Sequence, residues 1–145
     1  MTSQVRLEKL RSEHGAILPF MPAGWADHTI ADAASEFFAA YDGTRPVSVV
    51  GLLDQGGGMT ELFVATNPND WGKGYASGAI HQLLVHTFGG TSPSTSCTIY
   101  ADCLNGRAAE RIVQKLGFRQ VTSGAEKSRY TITRDEWNAP SPATP

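Results

Sequence analysis

An apolar run, Met59 to Thr66, is followed by the polar break Asn67-Pro68-Asn69-Asp70 and then by Trp71-Gly72-Lys73-Gly74. Beyond it Ala76, Ile80, Leu83, Leu84 and Phe88 recur at helical spacing. A strand that passes through a glycine-bearing turn into a helix commits the chain to a strand–helix unit on a sheet. The two glycines let backbone N–H groups turn inward, the starting helix adds a partial positive end, and Lys73 adds a full charge. Such a turn suits a phosphate, and three nucleotide-loop readings compete for it. A Walker A loop needs glycine where Asn67 stands and Ser or Thr where Gly74 stands, so it fails. A dinucleotide fingerprint finds a loose third position in Ser77, but the Gly/Ser/Thr-rich stretch Gly89 to Ser96 lies where its acid should follow. The third reading is a loop for the pyrophosphate of an acyl-coenzyme A.

The rest of the chain reads as strands with two helices. Val5, Glu8 and Leu10 mark a first strand, followed by a proline-punctuated segment with room for a short helix. Residues 30–41 fit two descriptions. Ile30, Ala33, Ala34, Phe37, Phe38 and Tyr41 have helical spacing behind Thr29 and Asp32, while Glu36 to Tyr41 also reads as a strand entering a turn at Asp42-Gly43. Val47 to Leu53 and Met59 to Thr66 are strands separated by Gly56-Gly57-Gly58. Cys97 to Cys103 is a further strand. A helix through Ile112, Val113 and Leu116 ends at Gly117, and Phe118 to Thr122 with Arg129 to Thr133 forms a closing hairpin. No repeat or linker interrupts residues 1–138, and 139–145, with three prolines, form a loose tail. At 145 residues the chain has the size of one domain.

Two stretches resemble the GNAT superfamily of N-acetyltransferases. Trp71-Gly72-Lys73-Gly74-Tyr75-Ala76 is similar to that family's Gln/Arg-x-x-Gly-x-Gly/Ala loop, with Trp71 in place of the Gln or Arg. Asn105, followed by Gln114-Lys115-Leu116-Gly117-Phe118, resembles its second motif, with Asn105 one residue farther from Gly117-Phe118 than usual. Tyr130 to Trp137 is similar to the end of the branch that acetylates ribosomal-protein N-termini. Together the resemblance covers about residues 46–137. It implies an α+β single-domain fold: a central, mostly antiparallel twisted sheet, splayed in the middle between the strands ending at Thr66 and Cys103, with helices on both faces. It implies that Val64, Ala65 and Thr66 meet the pantetheine arm of acetyl-CoA. The backbone of Gly72, Lys73, Gly74, Tyr75, Ala76 and Ser77 would hold the pyrophosphate, and Asn105 would hydrogen-bond the co-substrate.

Amine acetylation needs a proton acceptor, because a free amine of pKa about 8–10 is mostly protonated at neutral pH. Glu61 is the only acid in the strand before the loop, at the spacing of the family's catalytic Glu, and is the expected base. The competing account makes it a sheet-edge carboxylate that orients a loop or the acceptor. A strand N–H near Val64–Ala65 would stabilise the oxyanion. The family often uses a tyrosine to protonate the leaving thiolate, and Val113 stands at that position, leaving Tyr100, Cys103 or water. The expected function is therefore transfer of acetyl from acetyl-CoA, by direct attack, to a primary amine: a protein N-terminus or a small molecule. The alternative is a non-catalytic acyl-CoA-binding or regulatory module.

Composition narrows the partners. A net charge of −2, without a long basic run, argues against nucleic acid. The best apolar stretch, Ala16 to Ala26, is broken by Pro19, Pro22 and Gly24, which argues against a membrane span or a signal peptide. Cys97 and Cys103 are six residues apart on one strand, roughly 20 Å and beyond disulfide reach. Reduced thiols and a cytoplasmic monomer or homodimer are expected. No His, Cys or acid spacing predicts a metal. His81 and His86 read as a solvated helix face, His14 and His28 stay unplaced, and Trp25 and Trp137 read as packing residues.

Overall fold

The computed structural model describes residues 5–10, 35–88, 98–106 and 108–138. Among these residues seven strands form one sheet: β1 (Arg6–Lys9), β2 (Ser35–Asp42), β3 (Arg45–Gly56), β4 (Met59–Thr66), β5 (Thr98–Leu104), β6 (Arg119–Ser123) and β7 (Lys127–Thr133), in the order β1-β2-β3-β4-β5-β7-β6. Among the described residues three α-helices join them: α1 (Tyr75–Phe88), α2 (Ala108–Lys115) and the short α3 (Arg134–Asn138). Every strand pair is antiparallel except β4 with β5, which α1 connects as a crossover. This is the mixed, mostly antiparallel α+β sheet expected from the sequence. The short helix expected in the proline-punctuated segment, Cys97 and the tail 139–145 lie outside the described residues.

Alternation assigns each face. Val50, Leu52, Leu62, Ile99, Ala101, Cys103, Tyr130 and Ile132 turn toward α1 and α2, where they meet Ala79, Ile80, Leu83, Leu84, Phe88 and Val113 in the main core. Val47 joins them as the extra residue of a β-bulge, since Ala40 pairs with Ser48 and Tyr41 with Pro46. On the opposite face Leu10, Phe37, Ala39, Tyr41 and Val49 form a second cluster, with Phe63 packed on it.

Residues 36–41 are strand rather than helix. Phe37, Ala39 and Tyr41 enter the second cluster while Ala40 and Phe38 pack with the main core, so both faces of β2 are apolar. Two-sided burial removes the polar/apolar alternation that would have announced a strand. The short α3 was not foreseen, although Thr133-Arg134-Asp135-Glu136 carries a capping box. The Glu136 N–H donates to Thr133 Oγ1 at 3.1 Å and the Thr133 N–H to Glu136 Oε1 at 2.9 Å.

Candidate active site

The sheet opens between β4 and β5, the two strands between which the resemblance implies a splay. β4 and β5 pair only at Met59–Thr98, Thr60–Ile99 and Glu61–Tyr100. Beyond Glu61, β4 continues to Thr66 against β3 alone, with Val50 opposite Val64 and Val49 opposite Ala65. Among the described residues the edge of β4 from Leu62 to Thr66 that faces β5 therefore has no strand partner, and its backbone groups, the Thr66 carbonyl apart, are available to an extended ligand. Val64, Ala65 and Thr66 are half-buried along this stretch; Val64 and Thr66 turn their backbone groups to the open edge, and Ala65 turns its own to Val49 of β3.

At the end of that edge the chain turns through Pro68–Asp70 into the glycine loop. Gly72 and Gly74 both have φ near +82°, the left-handed region in which a side chain is strained. A Cβ built on Gly72 meets nothing within 4 Å, so the space above the loop is open. The Gly78 N–H reaches the Gly74 carbonyl at 3.0 Å, which leaves the Tyr75, Ala76 and Ser77 amides in the first helical turn without an intrahelical acceptor. Open space over unpaired amides fits the diphosphate of an acyl-coenzyme A. Trp71 stands 69% exposed beside this space, its indole N–H donating to the Thr66 carbonyl at 3.0 Å.

Charged side chains brace the loop. Asp70, only 2% exposed, accepts from Arg45 Nη1 on both carboxylate oxygens, at 2.8 Å each, and from Lys73 Nζ at 3.3 Å. The Arg45 hydrogen bond holds the Asp70 carboxyl below the usual carboxylate range. Tyr75 donates its hydroxyl to Asp42 Oδ2 at 2.5 Å, which pushes the phenol above its ordinary value.

Glu61 lies on the sheet face away from α1 and α2, at the last rung before the opening. Its Oε1 accepts from Gln55 Nε2 at 2.9 Å and from the Tyr100 hydroxyl at 3.3 Å; Oε2 has no hydrogen-bond donor among the described residues. The Arg129 guanidinium sits 4.1 Å from the centroid of the Tyr100 ring and pairs with Asp102 through two bonds of 2.8 and 3.0 Å. Burial, followed by the neighbouring Glu61 charge, pushes the Tyr100 phenol up, and Arg129 draws Asp102 below the carboxylate range. Cys103 faces the helices instead, and burial pushes its thiol up to about 11. Val113 is a core residue. Asn105 uses its side chain on the β6–β7 turn, donating to the Gly124 carbonyl at 2.9 Å and accepting from Ser128 Oγ at 2.7 Å.

The structure thus brings Glu61, Tyr100 and the Val64–Thr66 edge to one opening and runs that edge into the Gly72–Ser77 loop. Sequence reading missed Gln55, Asp102, Arg129, Arg45, Asp42 and Asp70. Asp102 faces Arg129 only through the β5–β7 register, and Gln55 reaches Glu61 only because it is the extra residue of a bulge, with Asp54 opposite Thr60 and Gly56 opposite Met59. Neither fact leaves a trace in a single sequence.

Solved structures place this architecture. A single-substitution variant of the spermidine N-acetyltransferase SpeG from Vibrio cholerae superposes with a TM-score of 0.76 at 18% identity, over 94% of this chain and 97% of that one. A chimera of the same enzyme with hSSAT gives 0.77 at 17% identity, over 93% and 98%. SpeG in complex with manganese ions gives 0.71 at 16% identity, over 92% and 95%. The fold is the GNAT fold. No family model and no curated protein sequence matches the chain. At these identities the likeness belongs to the backbone, and the chemistry of this GNAT-fold chain has to be argued from its own side chains.

Proposed function

We propose that the chain transfers an acetyl group from acetyl-CoA to the primary amine of a small molecule, of which polyamines are the leading class. The carrying observation is the β4 edge, Leu62 to Thr66, unpaired among the described residues, which leads through the Pro68–Asp70 turn into a glycine loop whose first-turn amides have no intrahelical acceptor. An extended pantetheine arm completes such an edge as an added strand, and the loop takes the diphosphate that follows it. Acetyl-CoA supplies an acyl group on a thiol leaving group. The Val64 N–H, which points out of β4 on this edge, is offered to its carbonyl oxygen, while the Ala65 N–H turns to β3.

The opening passes through the sheet, with the loop and α1 on one side and Glu61 on the other. The donor enters along β4, and the amine approaches from the face that carries Glu61, Tyr100, Asp102 and Arg129. Glu61 accepts the ammonium proton through Oε2 while Gln55 and Tyr100 hold Oε1. The phenol, kept protonated above its ordinary range and beside Glu61 at the opening, serves as the acid for the leaving thiolate, a role the buried Cys103 on the helix side cannot share. Asn105 supports the β5 end through the β6–β7 turn, with its remaining amide hydrogen left for the co-substrate.

The small-molecule acceptor rests on the spermidine N-acetyltransferases that share the fold. The protein N-terminus suggested by residues 130–137 is the other acceptor to test. Thermal unfolding with millimolar acetyl-CoA is expected to move upward, by about 2.7 kcal/mol at a concentration a hundredfold above Kd. Thiol release is then expected with spermidine or spermine. Release only with peptide N-termini would reassign the acceptor. Binding without release to any amine would leave a non-catalytic acyl-CoA module, and no thermal shift would remove both readings.

A further inference from the structure

The glycine loop is tied by side chains to the distant β2–β3 turn, which belongs to neither motif. Asp42 closes β2 and Arg45 opens β3. From that turn, Arg45 grips Asp70 immediately before Trp71, and Asp42 accepts from Tyr75 immediately after Gly74. Arg45 also reaches the Tyr75 hydroxyl through Nη2 at 3.4 Å, and its guanidinium lies 5.8 Å from the centre of that ring. The four residues Trp71–Gly74 are thus pinned at both ends to one external support.

Two features make this more than surface pairing. Trp71–Gly74 contains two glycines in left-handed backbone, and an unpinned stretch of that kind samples many conformations. A buried carboxylate is also costly unless it is paired, and Asp70 would by itself repel a diphosphate. Arg45 and Lys73 both pair with it, and with Asp42 beside Arg45 the four charges balance next to the open space, so the Asp70 charge is not presented alone to a diphosphate.

We propose that the strut formed by Asp42, Arg45, Asp70 and Tyr75 holds the glycine loop in its diphosphate-receiving form, which makes Arg45 and Tyr75 positioning residues for the acyl donor. The proposal rests on the reading that this loop binds acetyl-CoA. Neither residue touches the reacting atoms. Each acts by raising the fraction of molecules whose loop amides already converge.

The test combines calorimetric binding of acetyl-CoA to the full chain with steady-state kinetics on spermidine. For Arg45→Ala, Kd and KM for acetyl-CoA are expected to rise about tenfold, the loss that follows if the loop is competent a tenth of the time. The kcat at saturating acetyl-CoA and the KM for the amine are expected to hold within about twofold, as for an interaction made equally before and during the chemical step. Arg45→Lys is expected to restore binding, because Nη1 alone meets both Asp70 oxygens and an ammonium can occupy its place. Tyr75→Phe removes only the hydroxyl and should raise Kd in the same direction by less; it decides the matter if Arg45→Ala does not fold. Folded variants with wild-type Kd, or a fall in kcat without a change in Kd, would overturn the strut's role while leaving the functional reading intact. Wild-type protein that binds no acetyl-CoA would overturn both.

Discussion

Glu61 carries the proposed chemistry at the scale of a single residue. Its Oε1 is occupied by Gln55 and Tyr100, so the carboxylate is oriented, while Oε2 faces the acceptor side without a protein donor among the described residues. Glu61→Gln keeps that shape and removes the base. It is expected to lower kcat by about 10²–10⁴-fold while leaving the Kd for acetyl-CoA at the wild-type value. Tyr100→Phe keeps the ring under Arg129 and should reduce kcat by less. A phenol pushed above its ordinary range stays protonated, so loss of rate through Tyr100 is expected only above about pH 10. An unchanged kcat in Glu61→Gln would clear it of the base role. Sequence alone singled out Glu61, because it is the only acid in its strand. The partners that orient it were invisible, since Gln55 arrives through a bulge and Tyr100 through a parallel register more than thirty positions away.

Strand packing shows what each element contributes. In β3, Gly51 lies opposite Phe37 of β2, and the ring covers the space a side chain on Gly51 would take. A Cβ there would overlap the ring, so Gly51→Ala must displace Phe37 from the second cluster and its contact with Phe63. The expected cost is about 1–3 kcal/mol, measured as a lower urea midpoint with an unchanged slope. A wild-type midpoint would mean that the ring finds another rotamer freely. β2 also explains the one element that periodicity left undecided. Helical spacing and strand spacing both fit a run that is apolar on both faces, and only the partners β1 and β3 separate them. β3, β4, β5 and β7 were legible because turn-formers bound each apolar run.

Across the whole molecule, paired carboxylates tie separate parts together: Asp70 joins the glycine loop to β3, Asp102 joins β5 to β7, and Glu136 joins α3 to β6 through Arg119. A hydrogen bond from arginine draws each of the three below the carboxylate range. The unfolded chain then binds more protons than the folded one between the two sets of values. Stability is therefore complete above the unfolded pKa of about 4 and is lost as the pH falls through the lower folded values. Urea midpoints are expected to be level from pH 7 to 5 and to fall below about pH 4, less steeply in Asp102→Asn. A flat profile to pH 3 would contradict it. The sequence by itself determined the order of β3 to β7 with α1 and α2, the glycine loop and the one acid before it, because hydrophobic spacing and turn chemistry act over a few residues. Only the tertiary structure decided where β4 and β5 part, which face Glu61 takes, and which distant arginine supports Asp70 or Tyr100. Those outcomes depend on strand register and bulges, and register is fixed by contacts between segments far apart in the chain.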